Sequence, residues 1–182
     1  MAFPKTVCVY CASSSNVDKQ YTNAAYSLGR LLAEEKIRCV FGAGKTGLMG
    51  ELAKGVMDNS GEIIGIIPEF MIEQGWGNDD LTEMIVTPTM HIRKENMANL
   101  SEAVIAMPGG CGTLEELMEI ITWKQLGLFS GTIIILNINN YYSPLIEMLE
   151  RAVEERFMRD EHRSIWQVAS TPEDAIRIVQ EA

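Results

Sequence analysis

Histidine and cysteine are scarce in this chain, with two and four copies among its 182 residues. So few metal-binding side chains, with no ligand spacing among the histidines, argue against a metal centre, and four cysteines do not suggest a disulfide framework. No apolar run reaches the roughly 18 residues that a membrane helix needs, and the N-terminus lacks the apolar segment of a secretion signal. We therefore expect a cytoplasmic protein with free thiols and neither a metal nor membrane contact.

Basic residues are also in the minority, because 15 Lys and Arg stand against 25 Asp and Glu, for a net charge of -10. A negative overall field works against nucleic-acid partners, so we expect none. A small phosphate-bearing ligand stays compatible with this charge, since a local turn can outweigh the global field. The hydrophobic content of 47% suits one well-filled core, and residues 1–182 are predicted to form a single domain.

The spacing of Cys8 and Cys11 is typical of a metal or redox pair, but no second pair accompanies them. Both lie in or at the end of an apparent strand, in which residues three apart point to opposite faces. We therefore predict that Cys8 is a core residue and that Cys11 ends the strand.

Apolar strand-like segments alternate with helical patterns along the chain. Strands are predicted at Thr6–Cys11, Arg38–Phe41, Ile63–Ile67, Met84–Thr87, Ala103–Met107, Thr132–Leu136 and Ile165–Ala169. Their continuous apolar character indicates burial on both faces, as in a parallel sheet. The fold class is therefore predicted as α/β, a Rossmann-like doubly wound, mostly parallel sheet with helices on both faces.

Local signals mark some boundaries within this pattern. Ser143 and Thr171, each followed by proline, are predicted to cap the last two helices. The longest irregular stretch is 69–81, a candidate mobile loop.

A glycine-rich turn follows the predicted strand at 103–107 and opens a helix. It contains Gly109, Gly110 and Gly112, and Thr113, Glu115 and Glu116 come directly after. Glycines let the backbone approach a ligand closely, and the N–H groups at a helix start bind an anion, most simply a phosphate. Carboxylates repel a phosphate, so their presence in the same helix suggests chemistry as well as binding.

A second glycine-rich turn, 42–50, follows the second strand. Gly44-Lys45-Thr46 looks like the end of a Walker A loop, but Cys39 stands where that motif needs its first glycine. The turn does fit G-x-G-x-x-G, with Gly42, Gly44 and Gly47. In dinucleotide enzymes that motif usually follows the first strand, with an acidic residue about 20 positions on. Here the nearest is Glu62, so a single nucleotide is favoured over a dinucleotide.

A third turn, 11–15, closes the first strand, and Ser13 and Ser14 are candidates to hold a phosphate or ribose. The alternative is that these serines cap a helix that starts near Asp18. In an open parallel sheet, ligands bind at the carboxyl ends of the strands, and all three turns lie at such ends. Their convergence predicts one binding site.

The segment Met90–Met97 is predicted to start a helix before the strand at 103–107. Arg93 offers a planar fork for phosphate or carboxylate, and Lys94 offers a point charge. The alternative for Lys94 is a solvated surface residue, and His91 is expected to be structural.

Glu115 and Glu116 are not equivalent in the sequence. Thr113 and Glu116 fit the T-x-x-E pattern of a capping box, with Thr113 at the N-cap. That role alone would account for Glu116 and would leave Glu115 as the freer carboxylate. Spacing does not decide which of the two faces the ligand.

These motifs together resemble the LONELY GUY family of cytokinin-activating phosphoribohydrolases. The segment 108–116 fits the family signature P-G-G-x-G-T-x-x-E, 90–94 looks like its M-H-x-R-K element, and 42–50 resembles its G-G-G-x-x-G-L-M-G turn. The segments 120–127 and 140–142 are also similar to family sequence. Ala12, Ala43 and Cys111 depart from common family residues in the ligand-lining turns.

The resemblance implies hydrolysis of a cytokinin nucleoside 5′-monophosphate, with AMP as a poorer substrate, to the free base and ribose 5-phosphate. It implies Arg93 and Glu116 as the catalytic pair, Met90 and Thr122 among the substrate-binding residues, no cofactor, and a homodimer. The helices near Met97, Met118 and Trp123 look apolar on more than one side, which also suggests a second buried face. The family's older label, lysine decarboxylase, is not adopted, because the sequence shows no pyridoxal phosphate site.

Two other functions fit the same turns. One is a nucleotide-binding sensor or carrier without catalysis, in which the carboxylates only cap a helix. The other is a nicotinamide-dependent oxidoreductase.

Overall fold

The computed structural model describes residues 6–182, and its centre is a seven-stranded sheet. The strands are β1 (Thr6–Tyr10), β2 (Arg38–Phe41), β3 (Ile63–Pro68), β4 (Glu83–Thr87), β5 (Ala103–Ala106), β6 (Thr132–Leu136) and β7 (Trp166–Ala169). All six strand pairings are parallel, in the order β4-β3-β2-β1-β5-β6-β7. The seven predicted strands and the parallel sheet are therefore confirmed, with ends displaced by at most one residue.

Seven α-helices accompany the sheet in the described part of the chain. They are α1 (Lys19–Glu34), α2 (Gly47–Asp58), α3 (Glu69–Glu73), α4 (Met90–Asn99), α5 (Cys111–Gln125), α6 (Ser143–Glu154) and α7 (Pro172–Glu181), with short 3₁₀ helices at Ile138–Asn140 and Asp160–Ser164. One apolar cluster joins the sheet to α1, α2 and α7, and a second joins it to α4, α5 and α6. The sheet is thus covered on both faces, as the sequence predicts.

The two strand cysteines separate as predicted. Cys8 is fully buried in the cluster under α4, α5 and α6, whereas Cys11 is buried in the cluster on the other face. Both are free thiols, as are Cys39 and Cys111. The metal-pair interpretation of Cys8 and Cys11 therefore has no geometric support.

Helix starts are predicted less accurately than strands. Thr171 does cap α7, because its hydroxyl accepts a hydrogen bond from the Asp174 N–H at 3.1 Å. Ser143 is not a cap: it is the first residue of α6, Tyr142 occupies the cap position, and no side chain caps that helix. The segment 69–81 is not wholly irregular, since it begins with α3.

Of the three apolar residues that suggested a second buried helix face, two pack in the core of the protein itself. Met97 is 1% exposed within the second cluster, and Trp123 packs against that cluster. Only Met118 of the three is classed as exposed, at 37%. Across residues 6–182, no helix combines the length and apolar character needed to cross a membrane.

Candidate active site

The strand order reverses at β1, which has β2, β3 and β4 on one side and β5, β6 and β7 on the other. In open α/β sheets, the ligand cleft opens beside such a reversal, at the carboxyl ends of the strands. A cavity of about 560 Å³ lies at this place, between the turns that follow β1, β2 and β5 and the start of α4. Its volume falls in the range of small-molecule sites.

Most of the sequence-predicted site residues meet at this cavity. The lining includes Ser13, Ser14, Gly42, Gly44, Met90, Arg93, Gly110, Gly112, Thr113, Glu115 and Glu116. Four predicted residues do not line it: Gly47, Lys94, Gly109 and Thr122. The roles of these four are set by contacts within the protein.

The turn after β5 presents open backbone to the cavity. Gly110 is the N-cap of α5, and a Cβ on Gly110 or Gly112 would meet no atom within 4 Å. The first residues of a helix have no intrahelical acceptor for their N–H groups, and the helix dipole favours an anion there. This end of the cavity is therefore suited to a phosphate.

The capping box predicted from Thr113 and Glu116 is wrong. α5 begins at Cys111, three residues earlier than the T-x-x-E pattern requires, so Thr113 is already inside the helix. Thr113 is buried, and a Cβ on Gly109 would collide with its side chain. Glu116 accepts a hydrogen bond from the Arg93 side chain and not from the backbone of a cap residue. Its carboxylate thus has a partner in the cavity wall.

Arg93 and Glu116 form a buried ion pair across two helices. The Nη1 of Arg93, on α4, donates to Oε1 of Glu116, on α5, at 2.8 Å, and the two side chains are 5% and 8% exposed. Arg93 Nε donates to the carbonyl oxygen of Ile66 in β3 at 3.0 Å. A Cβ on Gly42 would collide with Nη2 of Arg93, so glycine leaves room for the guanidinium. The guanidinium of Arg93 is thus positioned by β3, α5 and the turn after β2.

The electrostatics of Glu116 reflect both burial and pairing. Burial raises the pKa of the Glu116 carboxyl, and the attraction of Arg93 lowers it without cancelling the effect. The net result is a pKa above the ordinary glutamate value. A carboxylate with a raised pKa is a stronger base than one on the surface, which is a property of functional carboxylates.

Glu115 takes a different partner. Lys94 Nζ donates to a carboxylate oxygen of Glu115 and, at 3.1 Å, to Glu119, one turn further along α5. Lys94 is buried, so the solvated-surface alternative is wrong, and its ammonium is engaged by these carboxylates behind the cavity wall. Burial lowers the pKa of Lys94, but the hydrogen bonds to the two glutamates outweigh it and raise the pKa overall.

The turns after β1 and β2 are joined to each other. Thr46 Oγ1 donates to the Ser13 carbonyl at 2.8 Å, and Gly47, at φ 62°, lies so close to the Ser13 and Ser14 backbone that a Cβ would collide with it. Gly47 therefore shapes the site without lining it. The helix-capping alternative for the serines fails, because Asp18 itself caps α1 by accepting from the Gln20 N–H at 2.9 Å.

Two tyrosines support the turn after β5 from behind. The Tyr141 hydroxyl donates to the Gly109 carbonyl at 2.6 Å, and the Tyr142 hydroxyl donates to the Met107 carbonyl at 2.7 Å. Gly109 is therefore a structural residue of the turn. Thr122 donates to the Met118 carbonyl within α5, which leaves it on the exposed side of the helix and away from the cavity.

Eight lining residues were not named as site residues from the sequence, although five of them lie in the predicted turns 11–15 and 42–50. They are Cys11, Ala12, Lys45, Thr46, Met49, Ile67, Met71 and Trp76. Met71 and Trp76 belong to the segment after β3, which is tied to the turn after β2 because the Asn78 N–H donates to the Ala43 carbonyl at 2.9 Å. The sequence could have indicated these two residues, because their segment follows the carboxyl end of β3 at the edge of the sheet where ligands bind.

Comparison with known proteins agrees with this architecture. A family model described as "Possible lysine decarboxylase" matches residues 49–179. A probable cytokinin riboside 5′-monophosphate phosphoribohydrolase of Oryza sativa subsp. japonica is 40% identical over 177 residues, which cover 97% of this chain and 72% of that protein. A cytokinin riboside 5′-monophosphate phosphoribohydrolase of Rhodococcoides fascians is 40% identical over 178 residues, covering 97% of this chain and 90% of that protein.

A solved structure shares the fold at lower identity. The molybdenum cofactor binding protein of Rippkaea orientalis superimposes with a TM-score of 0.72 at 22% identity, over 97% of this chain and 95% of that one. The extent of the family match and the 40% identity over nearly the whole chain decide the classification. The chain belongs to the LONELY GUY family of cytokinin riboside 5′-monophosphate phosphoribohydrolases, which its family model describes as possible lysine decarboxylases.

Proposed function

We infer that this protein hydrolyses the N-glycosidic bond of a cytokinin nucleoside 5′-monophosphate, giving the free base and ribose 5-phosphate. The observation that carries this proposal is the buried Arg93–Glu116 pair in the wall of a cavity that also holds the open helix start at Gly110. The names of the relatives support the same reaction. AMP is proposed as a poorer substrate.

Cleavage of an N-glycosidic bond builds positive charge on the ribose ring, as in an oxocarbenium ion. The electron pair of the breaking bond leaves with the base, the water oxygen bonds to C1′, and one water proton ends on the base. The Glu116 carboxylate is assigned to stabilise the positive charge and to orient and deprotonate the water. Its raised pKa suits it to accept that proton.

Arg93 is assigned to fix Glu116 and to bind substrate oxygens. A guanidinium stays protonated at all working pH values, so it does not serve as the general acid. Nε donates to the Ile66 carbonyl and Nη1 donates to Glu116, so Nη2 is assigned to the substrate oxygens. The start of α5 at Gly110, Gly112 and Thr113 is assigned to the 5′-phosphate.

Glu116→Gln tests the assignment of the carboxylate. The amide keeps the size of the side chain but removes the charge, so base release should fall on the order of a hundredfold or more. Release of base from N6-isopentenyladenosine 5′-monophosphate and from AMP would be followed by chromatography. Glu115→Gln is the matched control, with the same change one position away.

The outcomes separate the alternatives. Glu116→Gln turnover within about threefold of wild type would contradict the assignment, because removing an essential charge costs far more. A dead Glu115→Gln variant beside an active Glu116→Gln variant would exchange the two roles. If the wild type binds nucleotide tightly and releases no base, the protein is a non-catalytic binding module.

A homodimer and a cytoplasmic location are proposed alongside the reaction. Exposed apolar side chains lie on and after α5, namely Met118 at 37%, Leu126 at 67% and Leu128 at 68%, and Ile92 on α4 is 39% exposed. A second copy that covers them would bury a face of the helix that carries Glu116. Free thiols at Cys8, Cys11, Cys39 and Cys111 fit a reducing compartment.

A further inference from the structure

The charges in the cavity wall are not all paired. Two cationic side chains line the cavity within the described residues, Arg93 and Lys45. Arg93 is engaged by Glu116, and Lys94 behind the wall is engaged by Glu115 and Glu119. The side chain of Lys45 makes no hydrogen bond or ion pair with any residue from 6 to 182, and it is exposed. Its charge is therefore available to a ligand.

The backbone of Lys45 is held although its ammonium is not. Lys45 lies in the turn after β2, one residue before the N-cap Thr46 of α2. Thr46 Oγ1 is fixed to the Ser13 carbonyl, and the backbone of Gly47 packs against Ser13 and Ser14. The turn therefore presents the lysine from a constant position beside the serines of the β1 turn.

Lys45 lines the same cavity as Gly110 and Gly112, at the turn after a strand two positions away in the sheet. β1 separates β2 from β5, and neighbouring strands lie about 4.8 Å apart, which places the two turns roughly 10 Å apart. A lysine carries its charge on a flexible four-carbon stem, which spans much of that gap. The net charge of -10 repels an anionic substrate, so one unpaired cation at the cavity has a large local effect.

We propose that Lys45 binds the 5′-phosphate of the substrate, opposite the helix start at Gly110. This proposal rests on the proposed function and deepens it. The α5 start supplies N–H donors, whereas Lys45 supplies the full positive charge. The Gly44-Lys45-Thr46 tripeptide is not a Walker A loop, yet its lysine performs the same task of contacting a phosphate. The contact is made far from the glycosidic bond, so it contributes to binding more than to the chemical step.

Lys45→Met tests this contact, with Lys45→Arg as the conservative variant and Lys54→Met, an exposed lysine on α2, as the control. The KM and kcat for AMP would be measured, together with calorimetric Kd values for ribose 5-phosphate and for adenosine. Lys45→Met should raise the KM for AMP and the Kd for ribose 5-phosphate by about tenfold to a hundredfold, the size of one charge-assisted hydrogen bond. It should raise KM much more than it lowers kcat, and adenosine, which has no phosphate, should bind as to wild type.

The variants distinguish a phosphate contact from a structural role. Lys45→Arg should recover most of the affinity, and Lys54→Met should change neither constant. A ribose 5-phosphate Kd unchanged in Lys45→Met would overturn the proposal, as would an equal weakening of adenosine, which marks a distorted turn. If the wild type releases no base from any nucleotide, the proposed reaction fails, and the ribose 5-phosphate titration still decides the role of Lys45.

Discussion

Arg93→Met should destabilise the protein in a way that depends on pH. The substitution removes the guanidinium group but keeps an apolar, unbranched side chain. It leaves two groups without their donor: the Glu116 carboxylate, 8% exposed, and the Ile66 carbonyl. An uncompensated buried charge costs about 3–5 kcal/mol, and an unsatisfied buried acceptor costs about 1–3 kcal/mol.

The sign of the pH dependence follows from Glu116. Arg93 lowers the pKa of Glu116, so its removal raises that pKa further above the ordinary value of 4.5. When a glutamate has a higher pKa in the folded state than in the unfolded state, the protein loses stability as the pH rises above the unfolded-state pKa, because the folded state resists ionisation. Below that value the carboxyl is protonated in both states and the charge penalty disappears. The loss should therefore be about 4–8 kcal/mol at pH 7, the sum of the two costs, and should shrink toward the cost of the Ile66 carbonyl alone near pH 4.5.

Urea unfolding of wild type and Arg93→Met at pH 7 and near pH 4.5 measures both quantities. The double variant Arg93→Met/Glu116→Gln serves as the internal control, since its amide carries no charge and its destabilisation should vary little with pH. A destabilisation by Arg93→Met that is equal at both pH values would refute the reasoning. That result would mean that Glu116 is solvated in the folded protein and that the ion pair is not the source of the energy.

Two other predictions concern the second ion pair and the assembly. Lys94 lowers the pKa of Glu116 and Glu115 raises it, so Lys94→Met should raise the pKa of Glu116 and move the acid limb of the kcat/KM profile to higher pH. Lys94→Arg should restore the wild-type profile. An acid limb that does not move in Lys94→Met would show that Lys94 does not act on Glu116. The protein should scatter light as a dimer of the 20.3 kDa chain and lose specific activity on dilution, and a monomer with undiminished specific activity would contradict both the assembly and its link to catalysis.

The central strands were predictable because they are buried on both faces, whereas the edge strands β4 and β7 keep exposed positions. β6 and β5 are apolar at almost every position, and a short, fully apolar segment between turn residues has few alternatives in an α/β chain. Helix starts were less predictable, because several residues within one turn can cap a helix. Ser143-Pro144 indicated a cap at Ser143, yet Asn137 interacts with the Ser143 hydroxyl and also accepts from the Tyr142 N–H, which begins the helix one residue earlier.

The pairing of the two glutamates shows where sequence reasoning about the site reached its limit. Arg93 and Lys94 are consecutive on α4, and Glu116 and Glu115 are consecutive on α5, so composition allows either pairing. Neighbouring residues on a helix point about 100° apart, so the orientation in which α5 packs on α4 decides which carboxylate meets which cation. The T-x-x-E pattern favours Thr113 as the N-cap, whereas the N-cap of α5 is Gly110, three residues earlier, so Glu116 is the sixth residue of the helix and not a capping residue. The buried fork of Arg93 then takes Glu116, and the ammonium of Lys94 takes Glu115 together with Glu119, a partner that only the packing of α4 on α5 supplies.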